Sequence, residues 1–150
     1  MHEHNHDGKS AAEDEMQQKY LELNLLDSQM KQFQEQIRAV EEQLMQLAVS
    51  MQAVSEIEKI EGKSEVLIPI TDGVFAKGAI SDAKSLIVSI GAGTCVTKTP
   101  EETRKMLQEK MEELREYSRQ LSLQLDKLSA SAMKIEGSLR EIIESEKIKQ

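Results

Sequence analysis

Three histidines at alternate positions, His2, His4 and His6, with Glu3 and Asp7 beside them, carry the donor types of a transition-metal site. A metal needs those donors fixed in space, and residues 1–13 have no apolar periodicity that would fix them. The stretch therefore reads as a disordered polar tail, and no metal site is expected. The single cysteine, Cys95, stands in a β-rich run with no histidine nearby to act as its base, so it reads as a small buried strand residue rather than a nucleophile. Gly91-Ala92-Gly93 has the glycines of a phosphate loop but not the Gly-Lys-Ser/Thr that would follow them, so it reads as a turn without nucleotide chemistry. No carboxylate pair stands apart from the general acidic background. These residues exclude an enzyme, and no cofactor is expected.

Composition narrows the class further. A chain of 150 residues is long enough for one ordinary domain, but its only rings are Tyr20, Phe33, Phe75 and Tyr117, too few for the core of a usual globule. Charged residues make up 31% and the net charge is -8, which excludes the basic face that a nucleic-acid grip requires. No apolar run approaches the ~20 residues of a membrane span. The N-terminus has no apolar segment of the secretory kind. With one unpaired cysteine, a reducing, cytoplasmic setting is expected.

Glycine and proline divide what remains. Five of seven glycines and both prolines fall within residues 62–100, leaving two long stretches, 14–61 and 100–147, almost free of helix breakers. The first stretch is acidic, net -6, whereas residues 62–99 carry net +1, so the charge changes where the breakers begin. In the first stretch, heptad position a takes Met16, Leu23, Met30, Ile37, Leu44 and Met51, and position d takes Leu26, Phe33, Val40, Leu47 and Val54. An apolar seam unbroken from Leu23 to Val54 identifies a coiled coil. Forty-eight helical residues would reach about 72 Å, too long to fit inside a globule of this mass. The second stretch opens with Thr99-Pro100-Glu101-Glu102, a capping threonine, a proline suited to the first helical position and a capping-box glutamate. Its d positions are Leu107, Leu114, Leu121, Leu128, Ile135 and Ile142, all apolar, and its a row is weaker: Arg104, Met111, Ser118, Leu125, Ala132, Leu139 and Glu146. Two helices of matching length predict an antiparallel pair, with partner numbers summing to 158 or 165. The flanking e and g positions are rich in Gln and Ser, so ion pairs do not set the pairing.

The centre reads as four strands in two hairpins: residues 66–70, a turn at Thr71-Asp72-Gly73, residues 74–80, a turn over 81–84, residues 85–90, a turn at Gly91-Ala92-Gly93, and residues 94–98. Four short strands cannot cover their own faces or edges. Val66, Ile68, Ile70, Val74, Phe75, Ile80, Ile87, Val88, Ile90 and Val96 are therefore expected to join copies or relatives of this chain in a closed barrel or a large sheet. The fold class is α+β, mostly α: a long antiparallel two-helix coiled coil with two β-hairpins inserted between the helices. The domain plan is a polar tail (1–13), helix one (14–61), an oligomerising hairpin platform (62–99), helix two (100–147) and a short tail (148–150).

Residues 14–147 resemble the alpha-type subunits of the archaeal prefoldin family. The resemblance is carried by the helix–two hairpins–helix plan and most specifically by "VLIPITDGVFAKGAI" and "IVSIGAGTCVTKTPEE". Thr71-Asp72-Gly73 stands where many relatives have Gly-Ala-Gly, and both sequences turn the chain. The resemblance implies a hexamer of two alpha and four beta subunits built on a double β-barrel platform. It implies an ATP-independent holdase that binds unfolded polypeptides at its coiled-coil tips and passes them to a group II chaperonin. In this chain the tips are the start of helix one and the end of helix two, which makes Met16, Tyr20, Leu23, Leu25, Ile135, Leu139, Ile142 and Ile143 the client-binding candidates. Lys19 and Glu146 interrupt the seam there, and splayed ends would bare the rest of the stripe. Glu144, Glu146, Lys147 and Lys149 are candidates for the chaperonin contact. The alternative function is a structural coiled coil that tethers or spaces other proteins without holding clients. Such a protein would have no need of the two hairpins.

Overall fold

A computed structural model describes the backbone of residues 3–149 and the side chains of residues 10–149. The element order is α1 (Glu3–Glu58), β1 (Ser64–Thr71), β2 (Val74–Ile80), β3 (Leu86–Gly91), β4 (Thr94–Lys98) and α2 (Pro100–Ile148). Helix α1 begins ahead of residue 14, where the heptad pattern starts. Ala11, Ala12, Glu13 and Glu15 are good helix formers and carry the helix back past the last seam residue. His2 lies outside the described residues, and so do the side chains of His4 and His6.

The chain forms two compact units, and each helix contributes to both. The first unit joins the chain up to Glu41 with the chain from Tyr117 onward, so the start of α1 packs with the end of α2 and the helices run antiparallel. The heptad pattern is also the burial pattern. From Ala12 to Val54 every position of α1 that is not exposed is an a or d position, including the charged Lys19. On α2 the same stripe runs from Leu107 through Leu121, Ala132 and Leu139 to Glu146. In this unit Val40, Leu121, Ala132 and Leu139 are buried outright. A two-helix seam has only these two rows to bury, so b, c and f positions of this unit stay in solvent, Gly137 excepted.

The second unit, Glu42–Glu116, holds the rest of the two helices and both hairpins. Here α1 ends on tightened turns, in which the Lys59 and Ile60 amides donate to the Glu56 and Ile57 carbonyls. The start of α2 has the threonine cap that its sequence predicts, without the return bond from the Glu102 side chain that would complete a capping box. The Glu102 amide donates to Thr99 Oγ1 at 3.1 Å, and the Thr103 amide donates to the Thr99 carbonyl at 2.9 Å. Arg104 at the base of α2 donates to Glu58 Oε1 at 3.1 Å.

Strands β1 and β2 form one antiparallel two-stranded sheet, and β3 and β4 form another. Each ladder shifts register once, at Ile70 between Pro69 and Thr71 and at Ile90 between Ser89 and Gly91, beside the turn in both cases. In the first turn only Gly73 takes positive φ, whereas in the second the two central residues, Ala92 and Gly93, do so at 50° and 73°, with Gly91 ahead of them at 104°. Those two signs are the ones a type I′ turn requires, and Ala92 adopts its share at some cost because its Cβ crowds the backbone there. Cys95 is exposed rather than buried. It pairs with Ser89 in a sheet of two strands, and one chain supplies no layer to cover them. The Asp82 side chain accepts from the Lys84 amide at 2.9 Å and shapes the link between the hairpins.

Candidate functional site

Two surfaces are candidates, one in each compact unit. The first lies on the start of α1 and the end of α2. Of the residues that sequence singles out there, Tyr20, Leu25 and Ile143 are exposed, at 51%, 61% and 36%. They stand at e and c positions, off the seam, where no partner helix reaches them. Met16, Leu23, Ile135 and Ile142 are half-buried in the seam, and Leu139 is buried in it. The exposed set is open to a ligand as it stands, whereas the seam set requires the helices to part. Leu21, 68% exposed, belongs to the first set and is absent from the sequence-derived candidates. Its signal was available: an f position is the outermost of the heptad, and leucine there is out of pattern. Leu21 and Leu25 are four residues apart and so share one helix face. Ile148 and Met133 on α2 are exposed as well. Glu144, Lys147 and Lys149 are exposed, and Glu146 is half-buried at its seam position.

The second surface is the pair of hairpins. Ile68, Ile70, Val74, Phe75, Ile87 and Ile90 are exposed, while Val66, Ile80, Val88 and Val96 are half-covered by cross-strand neighbours. Val88 faces Val96, and Val66 faces Gly78. Ile68 folds over Gly78 so closely that a Cβ on that glycine would sit 2.7 Å from its Cδ1. Leu67 is exposed too and was not among the sequence candidates. The unbroken apolar run 66–68 was its signal, because a strand with one wet face alternates. Every strand is an edge strand in a two-stranded sheet, so both hairpins carry unpaired backbone donors and acceptors. Neither surface has the enclosed, polar-lined form of a small-molecule site. Among the described residues no group of three or more His, Cys, Asp or Glu is placed to hold a metal ion.

The family model described as prefoldin subunit matches residues 26–145, which takes in both hairpins and most of both helices. The chain belongs to the prefoldin family. Among its relatives is the prefoldin subunit alpha of Methanococcus vannielii, 23% identical over 126 residues, a match covering 84% of each chain. The prefoldin subunit alpha 1 of Thermococcus kodakarensis is 38% identical over 100 residues, covering 63% of this chain and 68% of that one. The prefoldin subunit alpha of Pyrococcus horikoshii is 38% identical over 101 residues, with the same coverage. The fold is that of a chain in a filamentous PFD from Methanocaldococcus jannaschii, solved by cryo-EM. The TM-score is 0.72 at 14% identity, covering 79% of this chain and 98% of that one. Two long helices flanking two hairpins are thus the prefoldin fold, and the recognisable features of the sequence are those of archaeal alpha-type subunits. Prefoldins are chaperones rather than enzymes, and they assemble with other prefoldin subunits. No helix among the described residues is long and apolar enough to cross a membrane.

Proposed function

We propose that this prefoldin-family chaperone subunit is an ATP-independent holdase component that binds non-native polypeptides at the free ends of its coiled coil. The observation that carries the reading is the exposure of large side chains, Tyr20, Leu21 and Leu25 on α1 with Ile143 and Ile148 on α2, within one compact unit whose seam is otherwise occupied. Large apolar groups held in water on a two-helix scaffold suit a partner that has no fixed shape, because no pocket selects among sequences. Met16 adds a soft, adaptable side chain at the same end. Lys19 and Glu146, charged groups at half-buried seam positions, weaken the closure of the helices and favour release of Leu23, Ile135, Leu139 and Ile142 to a client. The hairpins act as the assembly platform. Their exposed Ile68, Ile70, Phe75, Ile87 and Ile90 would be covered by beta-type subunits in a barrel, completing a hexamer of two alpha and four beta chains in the cytoplasm. Transfer of the client to a group II chaperonin follows the family resemblance, with Glu144, Lys147 and Lys149 as the charged groups available for that contact.

The test is aggregation of a chemically denatured client in the presence of the chain assembled with a beta-type subunit and without ATP. Suppression is expected, together with its loss on deletion of the residues before Met30 and after Ile135 while the assembled mass changes only by the deleted residues. Full suppression after that double deletion would refute the tip assignment. An assembled oligomer that never suppresses aggregation would leave a tether as the function.

A further inference from the structure

Within the second unit, α1 passes through thirteen consecutive residues, 43–55, without a single charge, in a chain that is 31% charged. The seam accounts for Leu44, Leu47, Met51 and Val54. It does not account for Met45 and Val49, which stand one helical turn apart on the outer face and are each 70% exposed. Ala48 and Ala53 flank them, exposed as well. The polar residues of this face spend hydrogen bonds on their own helix: Ser50 Oγ donates to the Gln46 carbonyl at 3.0 Å, and Gln52 reaches Glu56. Helix α2 in the same unit is the opposite case, with ten charged residues between positions 101 and 116. One flank of this unit is therefore apolar and the other is highly charged, and proximity to the hairpins cannot explain a difference between two helices that both adjoin them. Depletion of charge around exposed Met and aliphatic side chains marks the core of a protein–protein interface, not a solvated helix face.

We infer that the outer face of α1 over residues 43–55, centred on Met45 and Val49, is a second assembly surface that packs against a neighbouring prefoldin subunit. The occupant is a folded subunit because the family assembles with other prefoldin subunits and because this face belongs to the same compact unit as the exposed hairpins, set off from them by the charged stretch 56–65. Small residues beside two large ones let a second helix or hairpin approach closely. The hairpins alone would then fix who assembles, and the helix face would fix the angle at which each coiled coil leaves the platform. The inference rests on the oligomeric habit of the family and not on client binding, so the two can fail separately.

The test uses the full chain co-expressed with an archaeal beta-type prefoldin subunit. Met45→Glu with Val49→Lys places an opposite-charge pair at the favourable helical spacing, so the helix itself keeps its stability while the face becomes charged. The concentration at half-dissociation of the oligomer is expected to rise by about tenfold or more. Helicity and melting of the chain alone stay unchanged, and Met45→Leu with Val49→Ile restores assembly. A photoreactive phenylalanine analogue in place of Val49 is expected to give a subunit–subunit adduct in the absence of client. Unchanged assembly together with an adduct that forms only when denatured client is added would overturn the inference and assign the face to clients. Unchanged assembly with no adduct at all would overturn it in favour of a plain solvated face.

Discussion

The most direct perturbation of the proposed client surface is Leu21→Gln with Leu25→Gln. Both residues lie off the seam, 68% and 61% exposed, and glutamine matches leucine in helix propensity, so the fold should not register the change beyond ~0.5 kcal/mol. Complete burial of a leucine side chain stabilises by about 1.5–3 kcal/mol. Roughly two thirds of each side chain is still available to a client, which sets the possible gain near ~1–2 kcal/mol per leucine. A promiscuous, unshaped partner covers about half of that area at a time. The pair together then contributes about 1–2 kcal/mol, equivalent to a ~5- to 30-fold change in apparent affinity. The assay is light scattering by an aggregating denatured client, titrated with wild-type or variant oligomer in the absence of ATP. The oligomer concentration giving half-suppression should rise by about that factor, while far-UV circular dichroism and the melting temperature overlay those of wild type. An unchanged half-suppression point with unchanged folding would refute the reasoning, because nothing on this chain exposes more leucine surface in that unit.

Four further outcomes follow from the geometry. Thr99→Ala removes the acceptor of the Glu102 amide and should cost about 1 kcal/mol in thermal or denaturant unfolding, with Thr99→Ser retaining most of it. Ala92→Asn should stabilise by about 0.5–1 kcal/mol in the same measurement, because asparagine tolerates the positive φ that alanine adopts here without the unfolded-state entropy that glycine would add. Arg104→Ala or Glu58→Ala should cost well under ~1 kcal/mol and lose even that at high salt, since both side chains are 38% exposed. The melting temperature should rise with protein concentration when the beta-type subunit is present, because the proposed assembly would cover hairpin residues that are exposed on the single chain. A melting temperature independent of concentration would contradict that coupling.

The helices were legible in the sequence because the property that defines the pattern is the property that is buried. A spacing of three and four puts Leu26, Phe33, Val40 and Leu47 on one stripe, and that stripe is the one removed from water. The capping threonine and the two hairpins were legible for a similar reason, since Thr99-Pro100-Glu101-Glu102 and the glycine turns act through their own backbone. Three things were not legible. Ala92 at φ 50° is one: nothing in its residue type announces a left-handed turn position, and the paired ladder around it imposes that conformation. The exposure of Cys95 is another, because strand alternation says which residues share a face but not whether a second layer covers it. The third is the meaning of Leu21, Leu67, Met45 and Val49. Each is apolar and out of place for the element it sits on, and nothing among the described residues covers it, so a single sequence shows the misplacement and not a partner.

The scarcity of rings ties these surfaces together. Of four aromatic residues only Phe33 enters the seam, where it is half-buried; Tyr20, Phe75 and Tyr117 are all exposed. A seam two rows wide has no interior large enough for a ring to be surrounded, and it fills instead with Leu, Ile, Val and Met. Among the described residues only Val40, Val54, Pro100, Leu121, Ala132 and Leu139 are buried apolar side chains, a small core for so long a chain. A polypeptide that buries this little by itself and carries exposed Ile, Leu, Val and Phe on its hairpins gains its missing burial by association. On the proposed reading the apolar surface has three destinations set by position: the seam for the a and d rows, neighbouring subunits for the hairpins and the uncharged flank of α1, and client chains for the free ends. On that reading only the last stays uncovered in the working molecule, and the large side chains there alternate along the chain with charged and polar residues such as Glu22, Asn24 and Asp27.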